Sequence, residues 1–230
     1  MRIAVIPARG GSKRIPRKNI IDFHGRPMIA RTIAAIQATT LFDIVHVSTD
    51  DDEIAAIATK EGANVEFRRP QELSGDHAPV LPVLRWVLER FAKSGQNFNT
   101  ALMAMPCAPL LTAQDYGLAC KAFEASSVKL PLLSVCRFPS PIEWAFKESA
   151  KGTIKADPIQ LLIRSQDLKT SFYDCGLFSF FHPDQVIGQA EAVAQEFLKF
   201  EVDTLKAIDI DEPVDVARAK LLHSVLELMK

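Results

Sequence analysis

Short apolar runs alternate with longer stretches that are apolar on one face only. Ile3-Ala4-Val5-Ile6 is closed by Pro7, Ile44-Val45-His46-Val47 sits at the centre of a β-branched stretch from Phe42 to Ser48, and Ala101-Leu102-Met103-Ala104-Met105 and Leu130 to Cys136 follow. Runs this short and this continuous predict strands covered on both faces. Between them, Met28, Ile29, Ile33 and Ile36 recur at helical spacing, as do Ile54, Ala55, Ile57 and Ala58, then Val80, Leu84, Val87, Leu88 and Phe91. A helix is expected from about Thr112 through Phe123, and another from near Pro213 through Leu222, Val225, Leu226 and Met229. Asn64 to Phe67 and Leu177 to Phe181 read as further strands. The β-α-β-α rhythm predicts an α/β fold: a Rossmann-like, mostly parallel sheet with helices on both faces.

The rhythm breaks between Arg137 and Lys169. Phe138 to Phe146 and then Lys151 to Ile154 suggest a hairpin excursion, and Trp144 and Phe146 form an apolar pair that a lone chain would leave in water. The division expected is a core of residues 1–136 and 170–230 with an inserted arm at 137–169.

Composition narrows the function classes. A chain of 230 residues, 48% hydrophobic, is long enough for a full core, and a net charge of -1 argues against nucleic acid or a membrane surface as partner. Cys107, Cys120, Cys136 and Cys175 are widely spaced, which suggests core thiols rather than a zinc site or disulfide framework. The first apolar run is too brief for a signal peptide and no stretch approaches a membrane span, so a cytoplasmic protein is expected.

The positive charge is local. From Arg9 to Lys18 there are five cations and no acid, with Gly10 and Gly11 at the start and Pro7 and Pro16 nearby. A glycine-rich turn backed by Lys and Arg directly behind a first strand suits a polyphosphate, although such a loop can also be plain solvated surface. Neither a Walker A loop nor a G-x-G-x-x-G fingerprint can be written across it.

Two acidic stretches stand out. In the extended run Ala207-Ile208-Asp209-Ile210-Asp211, the two aspartates share one side while the isoleucines point the other way, and paired hard oxygens suit Mg²⁺. The alternative is that Asp211 only caps the helix after it. The run Asp50-Asp51-Asp52-Glu53 has the same two readings, helix capping or a metal-holding D-x-D.

Arg9-Gly10-Gly11-Ser12-Lys13-Arg14-Ile15-Pro16-Arg17-Lys18-Asn19 resembles the signature loop of the nonulosonate (sugar-acid) cytidylyltransferases, the family of CMP-sialic acid synthetase-like enzymes. Arg164-Ser165-Gln166-Asp167-Leu168 and Tyr173-Asp174-Cys175-Gly176 look most like its pseudaminic acid branch. The resemblance implies a nucleotide-diphospho-sugar transferase type of fold and transfer of CMP from CTP to a nonulosonic acid, with pyrophosphate leaving and Mg²⁺ as cofactor. Arg9 and Lys13 would hold the β- and γ-phosphates, and Asp209 and Asp211 the metal. Gly10, Gly11, Ser12, Lys18 and Asn19 would complete the nucleotide site, with Arg69 nearby and with cytosine read by main-chain groups around Pro7, Ala8 and Pro106. Arg164 would grip the acceptor's carboxylate and Asp174 its hydroxyls, with Gln166 and Tyr173 beside them. The arm would swap across a homodimer. Met105 stands where relatives often carry glutamine, and Tyr173 and Leu177 where they often carry histidine and glutamine. A different sugar acid, a D-x-D glycosyltransferase and a silent nucleotide-binding protein stay open as alternatives.

Overall fold

Alternate residues of the first strand are buried against different layers. Ile3 and Val5 pack with Leu84, Val87, Leu88 and Phe91, whereas Ala4 and Ile6 pack with Ile29, Ile33, Ile54 and Ala58. A strand covered on both faces has no polar side to expose, which explains its unbroken apolar sequence.

The computed structural model describes residues 1–75, 78–187 and 196–229. Part of the loop read before the third helix, at Asp76 and His77, therefore lies outside the described residues. Six strands form one sheet: β1 (Arg2–Pro7), β2 (Ile44–Ser48), β3 (Thr100–Ala104), β4 (Leu132–Arg137), β5 (Phe172–Phe181) and β6 (Leu198–Glu201). Their spatial order is β6-β4-β5-β3-β1-β2. The pairs β1/β2, β1/β3 and β4/β6 are parallel, and β5 runs antiparallel between β3 and β4. Helices α1 (Met28–Gln37), α2 (Asp52–Lys60) and α4 (Ala113–Glu124) contribute to one apolar layer. Helix α3 (Val80–Lys93) and the one-turn α5 (Pro183–Val186) contribute to the other. The last helix, α6 (Pro213–Leu228), packs through Ala219 on a third, smaller cluster that holds Ile15, Phe23, Cys107, Ile208 and Ile210.

Three expectations change. The strand read over residues 64–67 is a single bridge from Asn64 to His46. Asn64 Oδ1 accepts from the Glu66 amide at 3.2 Å and bonds His46 Nδ1 at 2.8 Å, so the side chain closes a turn where a strand would continue. Strand β5 begins at Phe172, five residues before its expected start. It passes through Gly176 at φ +66° beside the shift of register between Leu133 and Val135, so the strand continues through a bulge ahead of its apolar run. Asp211 does not cap α6; Glu212 does, in a capping box with Asp215.

After β4 the chain leaves the sheet and returns at β5, with Phe138 N donating to Ser171 O at 3.0 Å where the two ends meet. The excursion carries a two-stranded hairpin, Lys147–Glu148 with Ile154–Lys155. Trp144 is half-buried, its indole N–H donating to Ile163 O at 3.2 Å, whereas Phe146 is exposed. All four cysteines are free and buried. No helix among the described residues is long and apolar enough to cross a membrane.

Candidate active site

The basic loop leaves the end of β1 and is held from below. Ala8 is buried and donates its N–H to Ser48 O at 2.9 Å, and the Gly10 amide donates to Asp50 Oδ1 at 3.1 Å. Asn19 is also buried; its Nδ2 donates to Arg9 O at 2.8 Å and its Oδ1 accepts from the Cys107 thiol at 3.3 Å. Burial pushes that thiol up to about 12, so Cys107 stays protonated as a donor. These residues shape the loop, and the amide of Gly10 is already committed to a side chain.

Ile15 then anchors the loop in the small cluster that also buries Ile208 and Ile210. This shared apolar contact joins the two ends of the sequence. With the isoleucines turned inward, Asp209 and Asp211 face the loop, as the two-residue alternation requires. Asp211 Oδ1 lies 2.8 Å from Arg14 Nη2 and 3.2 Å from Lys18 Nζ, and the same ammonium donates to Ile210 O at 2.6 Å. Burial pushes the Asp211 carboxyl upward, but hydrogen bonds and charge from Lys18 and Arg14 outweigh it and hold the group below its ordinary value. Burial and then the charge of Asp211 push Asp209 the other way, above its ordinary value.

One cleft of about 750 Å³ collects these groups at the carboxyl ends of the parallel strands. Pro7, Arg9, Ser12, Lys13, Lys18, Asn19, Arg69, Pro106, Asp174, Asp209 and Asp211 all line it. Arg69, expected near the nucleotide, is 6% exposed and lines the cleft. Its Nε donates to Ser48 Oγ at 3.2 Å and its Nη2 to Ser48 O, and burial lowers it to about 10. Thr32 Oγ1 donates to Pro106 O at 3.2 Å and fixes that turn.

Other candidates stand apart. Ala8, Gly10 and Gly11 form the loop's backbone but do not line the cleft. Tyr173 packs edge-on against Phe138 at 5.1 Å, and Arg164 is exposed and paired with Asp167 at 2.9 Å, on the turn that also carries Gln166. Neither Tyr173, Arg164 nor Gln166 reaches this cleft.

Sequence reasoning passed over Arg14 as a cleft residue, although its place among the loop cations was a signal. It also missed the wall formed by Val80, Val83 and Met103, which read as core. Met105 and Leu177, already marked by their departure from the family pattern, complete that wall, brought together at the rim by the hydrogen bond from Met105 N to Leu177 O at 2.9 Å. The acidic run at 50–53 serves the protein's own structure: Asp51 caps the Ile54 amide at 2.9 Å and pairs with Arg17, and Asp52 pairs with Arg68 at 2.6 Å.

The family profile described as Cytidylyltransferase matches residues 3–95. Over nearly its full length the chain is 34% identical to pseudaminic acid cytidylyltransferase of Campylobacter jejuni serotype O:2, with 97% of this chain and 96% of that one covered. The chain belongs to the cytidylyltransferase family. This cytidylyltransferase is also 42% identical over 111 residues to CMP-N,N'-diacetyllegionaminic acid synthase of Legionella pneumophila, covering 47% of each chain. Its fold matches that of CMP:2-keto-3-deoxy-manno-octonic acid synthetase solved with CTP, with a TM-score of 0.73 at 15% identity, covering 98% of this chain and 99% of the other. As a cytidylyltransferase it is an enzyme of nucleotidyl transfer, with the mixed, mostly parallel sheet of that fold.

Proposed function

We propose that this enzyme transfers CMP from CTP to the anomeric hydroxyl of a nonulosonic acid, pseudaminic acid first among them, and releases pyrophosphate. The observation that carries this reading is the meeting of Arg9, Lys13 and Lys18 with Asp209 and Asp211 in one cleft. The full-length similarity to a pseudaminic acid cytidylyltransferase, against half-length similarity to a legionaminic acid enzyme, supports that acceptor.

Nucleotidyl transfer depends on in-line positioning and on neutralising phosphate charge, with no need for a protein nucleophile. Arg9 and Lys13 hold the β- and γ-phosphates and stabilise the charge that collects on departing pyrophosphate. Ser12, Lys18 and Asn19 keep the loop wrapped around the nucleotide, and Arg69, held by Ser48, lines the same cleft. Asp174, whose Oδ1 accepts from the Gly176 amide at 2.8 Å, faces the acceptor's hydroxyls.

Asp209 and Asp211 fit Mg²⁺ as ligands. Among the described residues no group of three or more His, Cys, Asp or Glu is placed to hold a metal, and a pair of carboxylates in which Asp211 adds to the cost of ionising Asp209 matches an ion that completes its shell with water and phosphate. When bound, Mg²⁺ supplies charge neutralisation and Lewis-acid polarisation at the phosphates.

The enzyme works, on this reading, as a cytoplasmic homodimer. Ile154, Ile159 and Leu162 of the arm are 65%, 71% and 86% exposed, an apolar surface that a second copy would cover. Arg164 and Gln166, outside the cleft of their own chain, contribute to the acceptor site from that position across the dimer.

The test is to incubate the purified enzyme with CTP, Mg²⁺ and pseudaminic, legionaminic or N-acetylneuraminic acid in turn, following pyrophosphate and the CMP-sugar. The expected result is turnover with the highest kcat/KM for pseudaminic acid. Preference for another acid overturns the acceptor, and absence of pyrophosphate with all three overturns the reaction.

A further inference from the structure

Loop residues 10 and 17 are both fastened to the turn between β2 and α2. At the first point, the Gly10 amide donates to Asp50 Oδ1 at 3.1 Å. The contact is close: a Cβ on Gly10 would lie 2.6 Å from Asp51 Oδ2. At the second, Arg17 grips Asp51 with both terminal nitrogens, at 2.5 and 3.0 Å, and reaches Glu53 at 2.5 Å. Arg17 holds φ +58°, the left-handed region that a residue with a side chain adopts only when its surroundings impose it. Ser12, Lys13 and Arg14, which line the cleft, are strung between these two points. Arg17 and Asp51 do not line it.

We propose that the bidentate Arg17–Asp51 pair, together with Asp50, is a positioning device that keeps the anion-binding arc in its nucleotide-ready shape, so that it sets affinity for CTP more than the rate of the chemical step. The inference rests on the cleft being the CTP site. An isolated surface ion pair contributes little, because water screens it and two long side chains must be ordered to make it. This pair differs in two ways. The Asp51 side chain is only 19% exposed and already fixed by capping α2, and the arginine fork matches both carboxylate oxygens. The order is therefore present before Arg17 arrives, and Arg17 spends little freedom in docking to it. Loss of the pair frees one end of the arc, and the ligand must then order it on binding.

The experiment is a double-mutant cycle on the full chain with CTP and Mg²⁺, using Arg17→Ala, Asp51→Asn and the pair. Asparagine still accepts the Ile54 amide, so α2 keeps its cap. Calorimetry of CTP binding and steady-state kinetics are read together. Arg17→Ala is expected to weaken CTP binding and raise its KM about tenfold while kcat stays within about threefold, with Arg17→Lys recovering part of the loss. The double variant is expected to be no worse than either single. Unchanged binding in Arg17→Ala overturns the proposal, as do additive losses or an equal fall in kcat that tracks a lowered Tm. Failure of the wild-type enzyme to bind CTP at all sinks the reading of the cleft instead, and is told apart by that first titration.

Discussion

Lys18 and Asp211, 193 positions apart in the chain, meet in the cleft at 3.2 Å, with the same ammonium donating to the Ile210 carbonyl at 2.6 Å. This contact closes the first loop onto the last extended segment. A lysine so placed both orients a carboxylate and adds positive charge where a triphosphate would lie. Lys18→Met is expected to lower kcat/KM for CTP by about 100-fold, about 2.7 kcal/mol of transition-state stabilisation. Pyrophosphate release measures it, and a change below about threefold contradicts the role.

Chelation with EDTA is expected to abolish turnover, and added Mg²⁺ to restore it. In Asp209→Asn the donor pair loses one charge, and turnover is expected to fall by about 1,000-fold and to stay low at high Mg²⁺. Full rescue of that variant by excess Mg²⁺ removes Asp209 from the ligand set.

Gly10→Ala is expected to cost about 2 kcal/mol and several degrees of Tm, because the added Cβ meets Asp51 Oδ2 at 2.6 Å and Asp51 Cβ at 3.0 Å. Gly11→Ala provides the comparison, since its Cβ meets nothing within 4 Å. Thermal melts of both variants check the difference; equal melting temperatures refute it.

His46 is wholly buried on β2, with Nδ1 bonded to Asn64 and no hydrogen-bond partner for Nε2. Burial lowers its pKa to about 4. The unfolded chain therefore takes up a proton near pH 6.5 that the folded chain refuses until about 4, so this contribution to stability is complete above pH 6.5 and is lost as pH falls toward 4. The loss amounts to at most about 3 kcal/mol. Denaturant unfolding between pH 7 and 4.5 is expected to show the decline, and His46→Gln to flatten it.

Phe146→Ser combined with Leu162→Ser is expected to turn a dimer into a monomer in light scattering, since both side chains are exposed in the single chain at 53% and 86%. A wild-type monomer at micromolar concentration refutes the arm's proposed role.

Much of this enzyme was legible because local rules were sufficient. Continuous runs such as Ile3 to Ile6 announce strands covered on both faces, and the loop that follows them announces its charge. The alternation Ile208-Asp209-Ile210-Asp211 already states which side of the segment is apolar. Asp51 reads as a cap from its place before Ile54, and it is one. Where one residue redirects the backbone, the reading failed: Asn64 ends a strand that its neighbours favour, and Gly176 carries β5 through a bulge, so the strand begins at Phe172 ahead of its apolar run.

The sequence by itself determined the layered α/β plan, the cationic loop and the aspartate pair, since each depends on residue types within a few positions of one another. Only the tertiary structure decided that Ile15 shares a cluster with Ile208 and Ile210, that Arg69 turns inward, and that Arg164 stays outside its own cleft. Contacts between distant segments depend on which buried surfaces fit together, and no local pattern records that fit.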